Sequence, residues 1–217
     1  MLFVTMKLMF FLAVPEPVTC YPLNARYKGA EKENRQPKGT LSDVTITNGP
    51  YNQPGGAYKY HDTKLSLINF PNDGGLSNPL SITLMCWVQP GDRSVRLFFY
   101  GERFGGAFRA SFVDGKFTHE IINIFSQPPI SSIATAEVLP VGEWVHVAAS
   151  FDHNSGNNSL YINGHFSGSQ NIGKTTPQVL VAGSVIGCCS RVKIAEMKVY
   201  DVALNEAQIQ TSIRQGS

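Results

Sequence analysis

The side chains able to do chemistry in this chain are its carboxylates, a run of arginines, four cysteines and one asparagine, and their spacing limits each. Hydrolysis of a glycosidic bond needs two carboxylates about 5 to 9.5 Å apart. Glu102, Glu120, Glu137, Glu143 and Glu196 each stand alone, and no serine sits in a Gly-x-Ser-x-Gly elbow. The pattern speaks against an enzyme. Arg93, Arg96, Arg103 and Arg109 gather around Leu97-Phe98-Phe99-Tyr100. A guanidinium fork holds two anionic oxygens at once, so these four are candidate contacts for an anionic, sulfate-bearing ligand. On strands whose other face is core, the same arginines would simply be solvated.

Cys20, Cys86, Cys188 and Cys189 allow three connectivities. Adjacent cysteines bridge each other only with strain, so a disulfide from Cys188 or Cys189 to a distant partner is expected. No Cys-x-x-Cys pair exists and the five histidines are scattered, which argues against zinc. Asn157-Asn158-Ser159 is an acceptor sequon that would carry a glycan on Asn157. A net charge of +2 excludes the polycation expected of a nucleic-acid binder. A second basic set, Lys28, Lys32, Arg35 and Lys38, is diluted by Glu31 and Glu33 and reads as an exposed loop.

The elements that must position these groups are strands. Residues 144–151 are rich in aromatic and β-branched types, 155–158 form a turn cluster, and 159–162 make a second short strand. Asn163-Gly164 then supplies a type I′ turn. Apolar runs of strand length recur at 65–70, 82–88, 95–100, 107–113, 120–125, 179–186 and 192–200, and no helical periodicity competes with them. Trp87 and Trp144 are expected as core anchors, while Tyr51, Tyr58, Tyr60 and Phe104 lie in or beside Gly-rich segments where an aromatic platform could be exposed. One terminal helix is predicted, capped by Asn205 with Gln208 completing a capping box and with Leu204 and Ile209 turned inward. It should seal an end of the sandwich. A chain of 217 residues built this way is commonly one all-β domain.

The first twenty residues read as a leader. Lys7 precedes the apolar Leu8-Met9-Phe10-Phe11-Leu12-Ala13-Val14, and Pro15 to Thr19 form a polar stretch before a cleavage point after Cys20. The apolar run is too short to span a bilayer, and no later segment resembles a membrane helix. A secreted, extracellular domain over residues 21–217 is the expectation.

Trp144-x-His146-Val147-Ala148, Phe151-Asp152 and Leu160-Tyr161-Ile162-Asn163-Gly164 resemble the signature of the laminin G-like jelly roll, in the concanavalin A-like lectin and glucanase superfamily. Tyr21-Pro22-Leu23-Asn24, Gly55-Gly56-Ala57-Tyr58, Ser81-Ile82-Thr83-Leu84 with Trp87-Val88, and the segment 195–204 agree in order. The resemblance implies a two-sheet antiparallel jelly-roll sandwich. It implies binding or adhesion to a glycan or matrix protein at loop rims, with a purely structural matrix role as the alternative. Glucanases of this kind carry their carboxylates at alternate positions of one strand, and no such run occurs here. Many laminin G-like domains hold a rim calcium through an aspartate near a central strand. Ala107 stands where that aspartate is expected, and Asp73, Asp152 and Asn154 are the remaining loop oxygens for a calcium ion.

Overall fold

The computed structural model describes residues 13–71, 80–100, 108–122, 131–175, 183–187 and 189–216. Two antiparallel sheets face each other. The first runs β13 (His165–Asn171), β12 (Asn157–Ile162), β11 (Val145–Asp152), β6 (Ile82–Pro90), β15 (Val192–Tyr200), β4 (Ala57–Tyr60) and β3 (Val44–Thr47), with β1 (Thr19–Tyr21) also paired to β15. The second runs β10 (Ser131–Ala134), β9 (Lys116–Ile121), β8 (Phe108–Val113), β7 (Val95–Tyr100), β14 (Gly183–Ile186), β5 (Leu67–Pro71) and β2 (Thr40–Ser42). Within each sheet one of the last two strands closes the middle: β15 lies between β6 and β4, and β14 between β7 and β5.

Alternation along the strands produces the core. From β6, Ile82, Leu84, Cys86 and Val88 point inward, and from β11, Val145, Val147, Ala149 and Phe151 do the same. Phe70, Phe108, Phe112 and Phe117 fill the space from the opposite sheet. Rings of this size each bury a large apolar area, so they dominate the packing energy. The expected Asn163-Gly164 turn forms, and Asp114-Gly115 makes a second between β8 and β9; all four residues have positive φ, as a type I′ turn demands.

Trp87 and Trp144 are not core anchors. Trp87 belongs to the outward set of β6, with Met85 and Gln89, and Trp144 precedes β11; both are half-buried. The phase of β6 decides this, because burial of Cys86 and Val88 sends the residue between them outward.

Helix α1 (Glu206–Gln215) carries the expected capping box: Asn205 Oδ1 accepts from the Gln208 amide at 3.0 Å, and the Asn205 amide donates to Gln208 Oε1 at 3.0 Å. It lies on the outer face of the first sheet rather than on an end of the sandwich. There Ile209 and Leu204 meet Met85, Ala148, Tyr161 and Tyr200 in a second, smaller core. The buried Lys198 finishes the helix by donating to the carbonyls of Ser212 at 3.0 Å and Gly216 at 3.1 Å, where a cation also suits the helix dipole.

Thr19 and Cys20, read from the sequence as the end of a leader, form two of the three paired residues of β1, opposite Val199 and Lys198. Residues 1–12 lie outside the described set.

Candidate functional site

A β-bulge builds the site. Between Arg96 and Phe98 the register of β7 against β8 shifts by a residue. Leu97 and Phe98 therefore both enter the core, while Arg96 and Phe99, three positions apart, share the outer face of the second sheet. Arg109 of β8 stands opposite Phe99, and Glu120 of β9 stands opposite Arg109. The Arg109 guanidinium carbon lies 5.3 Å from the centre of the Phe99 ring, and that of Arg96 lies 6.0 Å from it. Two cations thus share one ring.

Their electrostatic states differ. Arg109 Nη1 donates to Glu120 Oε2 at 3.0 Å, whereas Arg96 is exposed and makes no ion pair among the described residues. Among the described residues, the buried Nε of Arg109 has no hydrogen-bond partner. Such a row can offer an anionic group one unengaged guanidinium and a second that is held rigid by its neighbour. Arg93 does not join them: it sits in the loop before β7, its Nη2 donating to the Asp114 carbonyl at 3.1 Å. Arg103 lies outside the described residues.

Of the expected aromatic platform, Tyr58 and Tyr60 are buried at 3% and 0% exposure, because β4 is flanked by β15 and β3 and turns alternate residues into the core. Among the described residues of that set Tyr51 alone is displayed, at 86% exposure, with its ring against Trp87. Phe104 lies outside the described residues.

The remaining polar groups have structural partners. Asp152 accepts from the Asn154 amide at 3.0 Å and from Ser155 Oγ at 2.7 Å, closing the β11–β12 turn. The Ser155 bond holds its carboxyl below the usual carboxylate range. Among the described residues no group of three acidic, histidine or cysteine side chains gathers to hold a metal; Asp73 and Ala107 lie outside them. Cys20 and Cys86 carry free, buried thiols on opposite faces of the first sheet, and burial pushes the Cys86 thiol up to about 12. The disulfide expected from Cys188 or Cys189 to a distant partner reaches neither of these two thiols. Cys189 is half-buried before β15, and Cys188 lies outside the described residues. The sequon asparagine, Asn157, is exposed at the start of β12.

No sequence pattern marks its neighbour Asn158 as a structural residue. Wholly buried, it accepts from His119 Nδ1 at 2.7 Å and donates to Ser131 Oγ at 3.0 Å, and Ser131 donates to Gln170 at 3.0 Å. This hydrogen-bond path crosses between the two sheets three times. Burial drives the His119 imidazole down to about 4, the bond to Asn158 opposing only in part.

The comparisons with known proteins agree with this geometry. A profile of laminin G type, described as the concanavalin A-like lectin/glucanases superfamily, matches residues 62–210. The chain belongs to that superfamily. No curated protein matches this laminin G-type chain in sequence. Its backbone is similar to the binding domain of Paraclostridial Mosquitocidal Protein 1, with a TM-score of 0.74, 15% identity, and coverage of 92% of this chain and 52% of that one. It is similar also to the receptor binding domain of botulinum neurotoxin C/D mosaic serotype, with a TM-score of 0.73, 14% identity, and coverage of 92% and 51%. A third, the botulinum neurotoxin serotype D ligand binding domain in complex with N-acetylneuraminic acid, has a TM-score of 0.68 at 13% identity, with the same coverage. The laminin G-type chain thus spans about half the length of each of these structures. At this identity the likeness is one of fold.

Proposed function

We propose that this chain is a secreted, non-catalytic extracellular binding module that recognises acidic glycans on the outer face of the second sheet. The observation that carries the reading is the Arg96–Phe99–Arg109 row, which sets two guanidinium groups, that of Arg96 exposed and that of Arg109 half-buried, over one buried ring. The apolar run Leu8 to Val14 supports export, and the similar toxin domains, one of them bound to N-acetylneuraminic acid, support recognition of an acidic sugar. The contact as proposed rests on the guanidinium groups and needs no calcium. The Arg109–Glu120 pair favours one other reading, a structural matrix component without a discrete ligand site.

Retention on heparin decides between them. The parent should bind at low salt and elute as salt rises, because exposed charges more than about 8 Å apart are largely screened at 0.15 M. Arg96→Ser and Arg109→Ser should each lower the eluting salt with a loss of stability under about 1 kcal/mol, and retention should survive EDTA. No retention of the parent, or unchanged elution of the double variant, would leave the matrix role.

A further inference from the structure

We propose that Tyr51 and Trp87 form a second ligand site, on the outer face of the first sheet, that stacks the C–H face of a neutral pyranose. Tyr51 has φ 57° and ψ 29°, and Asn52 beside it also has φ 57°. The left-handed region is inexpensive for asparagine and unfavourable for a bulky aromatic. Backbone alone cinches the loop: the amides of Gly49 and Gly56 both donate to the Gln53 carbonyl, at 2.8 and 3.1 Å. A Cβ on Gly49 would come within 2.8 Å of the Gly56 oxygen, so the neck admits no side chain there. Folding would be served better by glycine or asparagine at position 51. What the strain maintains is a phenol ring held out into solvent.

Beneath it Trp87 provides a second ring, its centroid 5.5 Å from that of Tyr51 with the planes at 74°. On the neighbouring strand His146 stands opposite Trp87, the ring centroids 5.3 Å apart and the planes at 80°. Among the described residues, buried His146 Nδ1 has no hydrogen-bond partner. Burial, with Lys198 adding to it, drives that imidazole down to about 3, so it is neutral at physiological pH. An unsatisfied polar ring next to a surface aromatic pair is what packing avoids and a site for a hydroxylated ligand uses. Among the described residues no cation lies over either ring, and the tyrosine's edge and face offer C–H and O–H contacts rather than charge. The chemistry therefore selects a neutral sugar here and leaves acidic ones to Arg96 and Arg109.

The test keeps this site separate from the arginine row. Trp144→Phe leaves Trp87 as the sole tryptophan of the two in the chain, so its fluorescence reports on the platform. This protein is titrated with cellohexaose, laminarihexaose, mannohexaose and a neutral galactan. At least one should change the emission saturably. Tyr51→Phe should keep that affinity within about threefold, and Tyr51→Asn should weaken it about tenfold or more. Tyr51→Asn should also keep its melting temperature within about 2 °C, and heparin elution should be the same in both variants. The proposal is overturned if none of the four carbohydrates saturates the signal, if Tyr51→Asn binds as tightly as its parent, or if Tyr51→Asn melts many degrees lower, which would make the ring packing. A parent that ignores heparin but shows the saturable, Tyr51-dependent signal would support this site and refute the acidic-glycan reading alone.

Discussion

Stability should fall steeply on mild acidification, and two buried histidines set the size of the effect. Folding lowers His119 from 6.5 to about 4 and His146 from 6.5 to about 3, in both cases chiefly by burial. Both are therefore neutral in the folded chain while their unfolded counterparts protonate as pH drops below 6.5. Wherever the unfolded state binds more protons, stability decreases with falling pH. The contribution is intact above pH 6.5 and is lost progressively down to the folded values. At pH 4 the loss comes to about 3 kcal/mol for each histidine, about 6 kcal/mol together, which is comparable with the whole stability of a marginal domain. Asp152 stays out of this window, since its contribution is present above 3.8 and is lost only as pH falls through its still lower folded value. Urea titrations followed by tryptophan fluorescence from pH 7.5 to 4 measure the slope. His119→Gln, which keeps an amide near Asn158, should remove roughly half of it, and His146→Phe the other half. Because His146 Nδ1 is unpartnered, His146→Phe should also be tolerated at neutral pH. A urea midpoint that stays level between pH 7 and 4.5, or a double variant with the parent's slope, would refute the reasoning.

Phe151→Ala should cost about 3 to 5 kcal/mol, whereas the half-buried Trp144→Ala should cost well under half as much, with both read from urea midpoints. Asn157→Gln should remove an endoglycosidase-sensitive mass shift from protein expressed through a eukaryotic secretory pathway, because the Asn157 side chain is exposed; the same mass for parent and variant would refute glycosylation. Terminal sequencing of exported protein should find a start upstream of Thr19, since cutting after Cys20 would leave Tyr21 alone of the three residues paired to β15; a start at Tyr21 would show β1 to be dispensable.

Local signals in the sequence reached local structure well. Asn163-Gly164 and Asp114-Gly115 announce their turns because only a few residue types accept positive φ, and Asn205 with Gln208 announces the helix start through its own hydrogen bonds. What stayed hidden depends on which face of a strand is covered. Ile82 to Pro90 is apolar at nearly every position because β6 is buried by the core on one side and partly by α1 on the other, so its phase cannot be read and Trp87 is misplaced. The grouping of Arg96 with Phe99 and Arg109 depends on a bulge that no periodicity reveals. Tyr51, Tyr58 and Tyr60 look alike in a Gly-rich stretch, yet one crowns a turn and two lie in a strand flanked on both edges. The His119–Asn158 bond joins residues 39 apart in the chain, a distance over which sequence pattern is silent.

Placing β14 and β15 in the middle of their sheets has a consequence for how the chain is made. A ribosome delivers β6, β11, β12 and β13 early enough to pair with one another, but β3 and β4 wait for β15, just as β2 and β5 wait for β14. Until those strands emerge, four inner edges stand open, each a template for the wrong partner. The nascent chain is thus held short of its native state through most of synthesis, then completed by two strands that each stitch a pair of halves together. Such a chain would remain threadable through a translocation pore for nearly its whole length. It would also depend on the minutes after release, when unpaired edges and free thiols coexist, more than on anything the finished sandwich must withstand.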